Sequence, residues 1–341
     1  MKLIFPYHDK PSGHLPVQIN EDIYWYRLPL PMALDHVNVY AIEESRGWTV
    51  IDTGFYSDRG VDIWKKIISE NFGGKPVKRV VVSHYHPDHV GMAGWFKRQF
   101  NADIYATRIS WLFARMLTLD VHEKPTPEAL NYVKASGVSK SRLNQIKQSR
   151  PFNFADCVHP IPLGFKRLQE GDWLKIGSRN WEVRIGSGHA PDHATFWSDD
   201  GKICIGADQF LPDITSNVGV YASEPDANPL GDWLNSCQRF LKMANEDILV
   251  LPGHKAPFRG LKTRLQELID HHHGCLAVLT RELTKPTTAI DCFDSVFGRK
   301  IPDKEFGLAL AETNAHLNFL LWQNKINRTQ REGVNYWQNS G

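Results

Sequence analysis

The sequence predicts a layered α/β fold whose strands feed one shared edge, interrupted by a helical insertion and followed by a small helical C-terminal domain. Three observations carry this. Short β-branched runs bounded by turn residues alternate with helical spacing between residues 22 and 106. Four separate strands end in a side chain able to bind metal. Helical periodicity takes over at 107–150 and again from 261 onward.

Taken in order, Ile23 to Leu28, Val37 to Ile42 and Trp48 to Ile51 read as strands joined by tight turns. The third runs into Asp52-Thr53-Gly54, placing a carboxylate and a glycine at a strand end, where layered α/β proteins build their sites. Gly60 to Glu70 has helical spacing in Val61, Trp64, Ile67 and Ile68. A buried strand, Val80-Val81-Val82, then ends in Ser83-His84-Tyr85-His86-Pro87-Asp88-His89. Met92 to Phe100 starts as a helix, and Ala102 to Ala106 is another strand. The insertion comprises Ser110 to Leu117, Pro127 to Ala135, and Ser139 to Gln148 with Ser139 as its cap. Lys166 to Leu168 and Trp173 to Ile176 read as a hairpin turning at Glu170-Gly171-Asp172. Trp181 to Ile185 delivers the chain to Gly186-Ser187-Gly188-His189-Ala190-Pro191-Asp192-His193, Lys202 to Ala207 delivers Asp208, and Asp247 to Leu251 delivers Pro252-Gly253-His254. Helical patterns then cover Leu261 to Leu283, Thr288 to Phe297 and Asp303 to Asn324, before a hairpin at Asn327 to Trp337 that turns at Glu332-Gly333. Helices followed by a two-stranded wing predict a winged-helix-like domain over 261–341, after a catalytic domain over 1–260.

Bulk properties narrow the function classes. A hydrophobic fraction of 42% and a charged fraction of 23% are those of an ordinary globular protein. A net charge of +2 supplies no general attraction to nucleic acid or to an anionic membrane surface. The five cysteines (Cys157, Cys204, Cys237, Cys275 and Cys292) are scattered without a CxxC pair, as reduced thiols are. No run approaches the ~20 apolar residues of a membrane span, and the N-terminus has no secretory h-region, so a cytoplasmic location is expected. The insertion departs from the average: between 105 and 150 there are eight Lys or Arg against three Asp or Glu, a local excess of +5. It reads either as a solvated helical hairpin or as a lid over about 107–150 that attracts an anionic substrate, with Trp111, Phe113 and Met116 as the apolar wall.

The chemistry concentrates at His84-x-His86-x-Asp88-His89. Imidazole and carboxylate suit zinc and its first-row neighbours, and alternate residues leaving a strand point to one side, so that His84 and His86 can share an ion. Asp88 and His89, turned by the next helix, can serve a second. With His189, Asp208 and His254 downstream and Asp52-Thr53-Gly54 upstream, the pattern resembles the metallo-β-lactamase superfamily over roughly residues 20–260. The resemblance implies an αββα sandwich with the metals at one edge. It also implies that His84, His86 and His189 form one metal site, that Asp88, His89 and His254 form another, and that Asp208 bridges them. The Asp208 position resembles the glyoxalase II, lactonase, thioesterase and RNase-type branches and points away from penicillin hydrolysis. The surrounding patterns, among them Asp208-Gln209-Phe210-Leu211-Pro212 and Pro252-Gly253-His254-Lys255-Ala256-Pro257, resemble the bacterial branch that carries a C-terminal winged helix.

The function expected from this is a binuclear metal-dependent hydrolase. Two divalent ions, zinc first with manganese or iron as alternatives, would hold a bridging hydroxide that attacks a thioester, ester or lactone, with Asp88 orienting it and carrying its proton. The basic insertion suggests a small-molecule acyl substrate with an anionic handle. Asp52 reads as a partner fixing a histidine tautomer rather than as a ligand. His193 faces the pocket or braces its loop, and His36 and Asn38 either line the mouth or are structural. His271-His272-His273 point in different directions on a helix and cannot easily share an ion. The alternatives are a metal-dependent endoribonuclease or phosphodiesterase, and a regulator reading nucleic acid through the winged helix. Against the regulator, residues 281–341 hold eight Lys or Arg and seven Asp or Glu, only +1. That domain is expected to pack on the catalytic domain or to form a homodimer contact.

Overall fold

The computed structural model describes residues 2–32 and 34–340. Its first half is a meander of antiparallel strands, β1 (Val17–Gln18), β2 (Ile23–Pro29), β3 (His36–Glu44) and β4 (Gly47–Ile51). Helix α1 (Asp58–Asn71), whose first turn is capped by the Ser57 hydroxyl accepting the Gly60 N–H, crosses over to β5 (Val77–Val81), parallel to β4. Two short helices, α2 (Pro87–Val90) and α3 (Ala93–Phe100), lead to β6 (Asp103–Thr107). The insertion contributes α4 (Arg108–Leu119), α5 (Pro127–Ala135) and α6 (Lys140–Gln148), the last capped by Ser139. Strand β7 (Lys166–Leu168) then adds to the same sheet, parallel to β6.

The second sheet holds β8 (Trp173–Ile176), β9 (Arg179–Gly186), β10 (His193–Ser198) and β11 (Ile203–Ala207) in antiparallel order. Helix α7 (Pro229–Met243) returns the chain so that β12 (Leu249–Pro252) lies parallel to β11. Helices α8 (Leu261–Glu282), α9 (Phe293–Phe297) and α10 (Phe306–Trp322) follow, and the chain closes with the antiparallel pair β13 (Ile326–Arg331) and β14 (Val334–Asn339). One expectation fails here: β7 and β8 are not a hairpin. Strand β7 pairs with β6 in the first sheet and β8 with β9 in the second, so the Gly171 turn carries the chain between sheets.

Three apolar clusters make the layers. Between the sheets, Trp25, Tyr40 and Ile42 meet Trp181, Phe196 and Leu251. On the outer face of the first sheet, Trp64, Phe96 and Trp111 cover Val39, Val50 and Val80. Outside the second sheet, Trp233, Phe240 and Leu265 cover Cys204 and Val250. Strands such as β10 and β11 are therefore buried along their whole length and read as continuous apolar runs rather than alternating ones. The architecture is the αββα sandwich, with a C-terminal part of helices and a two-stranded sheet. Leu317, Ile326 and Trp337 belong to the same cluster as Trp233 and Leu265, so the C-terminal part shares the core of the second helical layer.

The insertion is helical as expected, but its apolar residues divide differently. Trp111 is not a pocket wall: it is 2% exposed and stacks on Phe165 with ring centroids 4.9 Å apart. It lies beside Ser110 and Ala114 on the buried face of α4, which leaves Leu112 and Met116 outward. Phe113 does approach the site, with its ring 5.3 Å from that of Tyr85. Among the described residues no helix is long and apolar enough to cross a membrane, and all five cysteines are free thiols.

Candidate metal centre

Each side chain of the centre leaves the C-terminal end of a strand or the turn after it, except Asp88 and His89, which the short helix α2 after β5 presents. Parallel pairing of β4 and β5 sets Asp52 beside Ser83, and the Asp52 N–H donates to the Val81 carbonyl at 2.9 Å. Asp52 then uses both carboxylate oxygens. Oδ1 accepts the Ser83 N–H at 2.8 Å, and Oδ2 accepts the Ser83 hydroxyl at 2.7 Å and His89 Nδ1–H at 2.8 Å. Whenever the His89 ring is neutral, this bond keeps its proton on Nδ1 and leaves Nε2 as the free nitrogen toward the centre. The Ser83 hydroxyl, committed to Asp52, accepts from His84 Nδ1 at 2.9 Å and leaves His84 Nε2 bare as well. His254 is set likewise: its Nδ1–H donates to the His36 carbonyl at 2.8 Å.

The bare atoms converge. One ligand atom from each of His84, His86 and His189 lies within 4.8 Å of the others, and the same holds for Asp88, His89 and His254. Asp208 sits between the two groups. Its Oδ1 is 3.3 Å from His89 Nε2, and its Oδ2 is 3.4 Å from His189 Nε2 and 3.3 Å from His254 Nε2. His84 Nε2 and His86 Nδ1 are 3.0 Å apart. Two ligands of one tetrahedral zinc ion stand about 3.3 Å apart, so the spacing fits a shared ion.

Buried His89 Nε2, His189 Nε2 and Asp208 Oδ1 have no hydrogen-bond partner and converge on one place, where a bound cation would satisfy all three. A donor set of imidazoles and carboxylates at these spacings fits divalent ions of the zinc, manganese and iron group.

Electrostatics divides the histidines. Burial, then the neighbouring His189 ring, draws His86 down to about 3, and burial with the surrounding imidazoles holds His84 well below its ordinary value. Both stay neutral, as a ligand must be. Burial opposes charge on His254 and His89 too, but Asp208 and Asp88 outweigh it, raising His254 to about 10 and His89 well above normal. Asp88 responds in the other direction: despite its burial, facing His89 and His254 lowers it to about 2. These carboxylates and imidazoles neutralise one another where no cation does so.

The backbone is shaped for this convergence. Asp52, Ala207 and Lys255 have φ of 58°, 40° and 70°, left-handed conformations that cost energy in residues with a Cβ and cluster at functional sites. Gly253 is glycine for a second reason. A Cβ there would stand 2.1 Å from Asp208 Oδ1 and 2.9 Å from His89 Cε1.

For His193, His36 and Asn38, which the sequence leaves between pocket contact and brace, the hydrogen bonds are those of braces. His193 is fully buried, stacks on His84 at 4.6 Å, and accepts the Asp208 N–H on Nε2 at 3.1 Å, so it braces Asp208 instead of facing a substrate. Asn38 is buried: its amide donates to the Pro252 and Lys255 carbonyls at 2.8 and 2.9 Å, and its Oδ1 accepts from Trp25 Nε1. His36 accepts the Lys255 N–H and offers its own carbonyl to His254. Both hold the 252–255 turn because β3 runs alongside it. His272 is likewise spoken for, with Nδ1 3.3 Å from His316 Nε2 between α8 and α10. Ser83 and the Asn217 carbonyl, which accepts from His189 Nδ1 at 2.7 Å, went unread in the sequence. Ser83 had a signal in its place between Asp52's partner strand and the first histidine; a backbone carbonyl has none.

With this geometry the sequence profile of the metallo-beta-lactamase superfamily matches residues 32–254. The chain belongs to that superfamily. A second profile, the metallo-beta-lactamase-like C-terminal domain, matches residues 276–340. Among superfamily members of known structure, a beta-lactamase domain protein from Burkholderia ambifaria is 32% identical and superposes with a TM-score of 0.91, covering 99% of this chain and 98% of that one. YqjP of Bacillus subtilis, named a metallo-hydrolase, is 22% identical over 323 residues, which is 93% of this chain and 96% of its own length. The hydroxyacylglutathione hydrolase GloC of Haemophilus influenzae is 25% identical over 183 residues, 52% of this chain and 68% of its own.

Proposed function

We propose that the protein is a binuclear metal-dependent hydrolase of a small-molecule acyl substrate: a thioester, an ester or a lactone. The observation that carries this is Asp208, whose carboxylate touches both sets of ligating atoms: Oδ2 lies 3.4 Å from His189 Nε2 of one set and 3.3 Å from His254 Nε2 of the other, and Oδ1 lies 3.3 Å from His89 Nε2. His84, His86 and His189 would hold one ion, Asp88, His89 and His254 the other, and Asp208 both. Bound there, divalent ions supply a nucleophilic water near neutral pH and a Lewis acid for the carbonyl.

The chain's own residues do the rest. Asp88 points Oδ2 into the centre, 3.6 Å from His89 Nε2 and 3.4 Å from His254 Nε2, where a carboxylate would orient the water and accept its proton. Tyr85, between His84 and His86, carries an aromatic wall outward: its ring lies 4.6 Å from His86 and 5.3 Å from Phe113. Met116, 49% exposed on the same helix as Phe113, extends the apolar surface available to an acyl group. The similarity to GloC, by name a hydroxyacylglutathione hydrolase, favours a thioester among the three classes.

Half of the insertion's basic side chains are engaged by the protein itself. Of the eight basic residues of the insertion, Arg115 and Lys124 donate to the Ile161 and Gln148 carbonyls, and Arg142 and Arg150 pair with Asp303 and Asp156. Those four hold the insertion together and to its surroundings. We place the enzyme in the cytoplasm, where five free thiols persist. The test is a panel of acyl thioesters, esters, lactones, penicillin and single-stranded RNA offered to protein loaded with zinc, manganese or iron. Turnover of an acyl substrate that is lost in His84→Ala supports the reading; turnover of RNA or penicillin alone, or an unaffected His84→Ala, overturns it.

A further inference from the structure

His84, His89 and His254 are each oriented by a group in or beside the first sheet, whereas His189 takes its partner from the loop between β11 and α7. That partner, the Asn217 carbonyl, is anchored by the C-terminal part of the chain. The Asn217 side-chain amide donates to Glu312 Oε2 at 3.0 Å and to the Leu308 carbonyl at 3.3 Å, both on α10. Three residues on, the Val220 N–H donates to the Ala311 carbonyl at 3.0 Å, and a Cβ on Gly219 would stand 2.9 Å from the Ala311 Cβ. From the other side Tyr132 of α5 donates its hydroxyl to the Val220 carbonyl at 2.7 Å. The 217–220 segment is thus clamped between α10 and the insertion while its carbonyl faces the centre.

Glu312 is the unusual member. It is 9% exposed on a helix whose buried face is otherwise largely apolar or uncharged, and burial pushes its carboxyl up to about 7 despite the bond from Asn217. A buried carboxyl is costly unless a partner offsets it, and Asn217 is the partner its geometry serves. We propose that Glu312, acting through Asn217, is a positioning residue for His189, so that the C-terminal region completes one half of the metal centre. The inference rests on the metal-centre reading above. Asn217 is gripped at its amide by Glu312 and offers its carbonyl to His189 Nδ1–H, and the direction of that carbonyl sets where His189 Nε2 points relative to Asp208.

The experiment is metal binding by the full-length protein, measured by chelator competition and by the visible spectrum of the cobalt-substituted form, alongside thermal unfolding of the metal-free protein. Glu312→Ala and Asn217→Ala are each expected to weaken binding of one of the two ions about tenfold, the lower end for residues behind a ligand. The double variant is expected to be no worse than either single one, because both act by one route. Glu312→Gln keeps an acceptor oxygen and is expected to bind both ions as the parent does, with an unchanged cobalt spectrum. The proposal is overturned if Glu312→Ala binds both ions with parental affinity and only unfolds earlier, or, should that variant not fold, if Asn217→Ala binds both ions unchanged. A parent protein that binds no divalent ion sinks the metal-centre reading together with this one; a parent that binds two ions and turns over substrate while the variants match it sinks this one alone.

Discussion

Two histidines on opposite sides of Asp208 are oriented in contrasting ways. His89 has its carboxylate directly behind it, with Asp52 Oδ2 2.8 Å from Nδ1. His189 has a backbone carbonyl behind it, and the carboxylate of Glu312 stands one residue further back, on Asn217. The first arrangement is internal to the sandwich, a by-product of two neighbouring parallel strands ending together. The second is an alliance between the sandwich edge and a helix from the C-terminal part. The difference is one of support: His89 is held by the sheet itself, whereas His189 depends on an element docked from the C-terminal part of the chain.

The largest effect should come from the residue both halves share. Asp208→Ala leaves His89, His189 and His254 facing one another without their common anion, and should lower kcat/KM beyond the roughly 100-fold upper end for residues behind a ligand. Elemental analysis should show loss of metal with the activity. Retention of two ions per chain would show that Asp208 does not join the halves.

Next in size is the sheet-borne support, in which Asp52 holds His89 directly and His84 through the Ser83 hydroxyl. Asp52→Ala strands the Ser83 N–H, the Ser83 hydroxyl and His89 Nδ1–H in the interior, at about 1–3 kcal/mol for each donor left without water. A marked fall in Tm should accompany a roughly 10–100-fold loss in metal affinity. Asp52→Asn separates the two effects. Asparagine tolerates the φ of 58° and keeps an oxygen for the Ser83 N–H, but it can turn an amide N–H toward His89 Nδ1 and drive that ring's proton to Nε2, where it blocks a ligand. Stability should therefore recover much more than metal affinity. If both recover together, tautomer control by Asp52 is wrong. The Glu312→Ala loss in metal affinity should fall below that of Asp52→Asn, which is the ordering the contrast between the two halves requires.

How much of this was legible in the sequence follows the same division. The strand ends carrying Asp52, His84, His86, His189, Asp208 and His254 were readable because a β-branched run broken by Gly, Ser or Pro marks both the strand and the point where its side chains are released. The pairing of Asp52 with a histidine could be expected since it joins two neighbouring strands. The sequence leaves open those residues whose polarity fits two roles. His36, Asn38 and His193 carry polar groups that serve carbonyls and N–H groups of adjacent turns, and nothing local distinguishes such a brace from a substrate contact. Trp111 reads as part of an apolar wall because α4 has apolar residues on more than one face, and periodicity alone does not say which face meets the core. Glu312 is the single Asp, Glu, Lys or Arg of α10 and lies 95 residues from its partner, a separation that no sequence pattern bridges.

The smallest effect on catalysis should come from a change that is nonetheless measurable in stability. Burial raises the Glu312 carboxyl from its ordinary 4.5 to about 7. Below pH 4.5 it is protonated in folded and unfolded chains alike and contributes no pH dependence. Between 4.5 and about 7 the unfolded chain has lost the proton while the folded one keeps it, so stability falls as pH rises. Above that window the penalty is complete, on the order of 3 kcal/mol for a displacement of this size. Glutamine has no proton to lose. Metal-free Glu312→Gln should match the parent near pH 4.5 and become progressively more stable than it up to about pH 7, while metal affinity and turnover stay near parental values. A stability difference that is flat between pH 5 and 8 would mean that Glu312 is ionised throughout, held by more than Asn217. His189 would then rest on a fixed charge, as His89 does on Asp52, and the two halves of the centre would be alike after all.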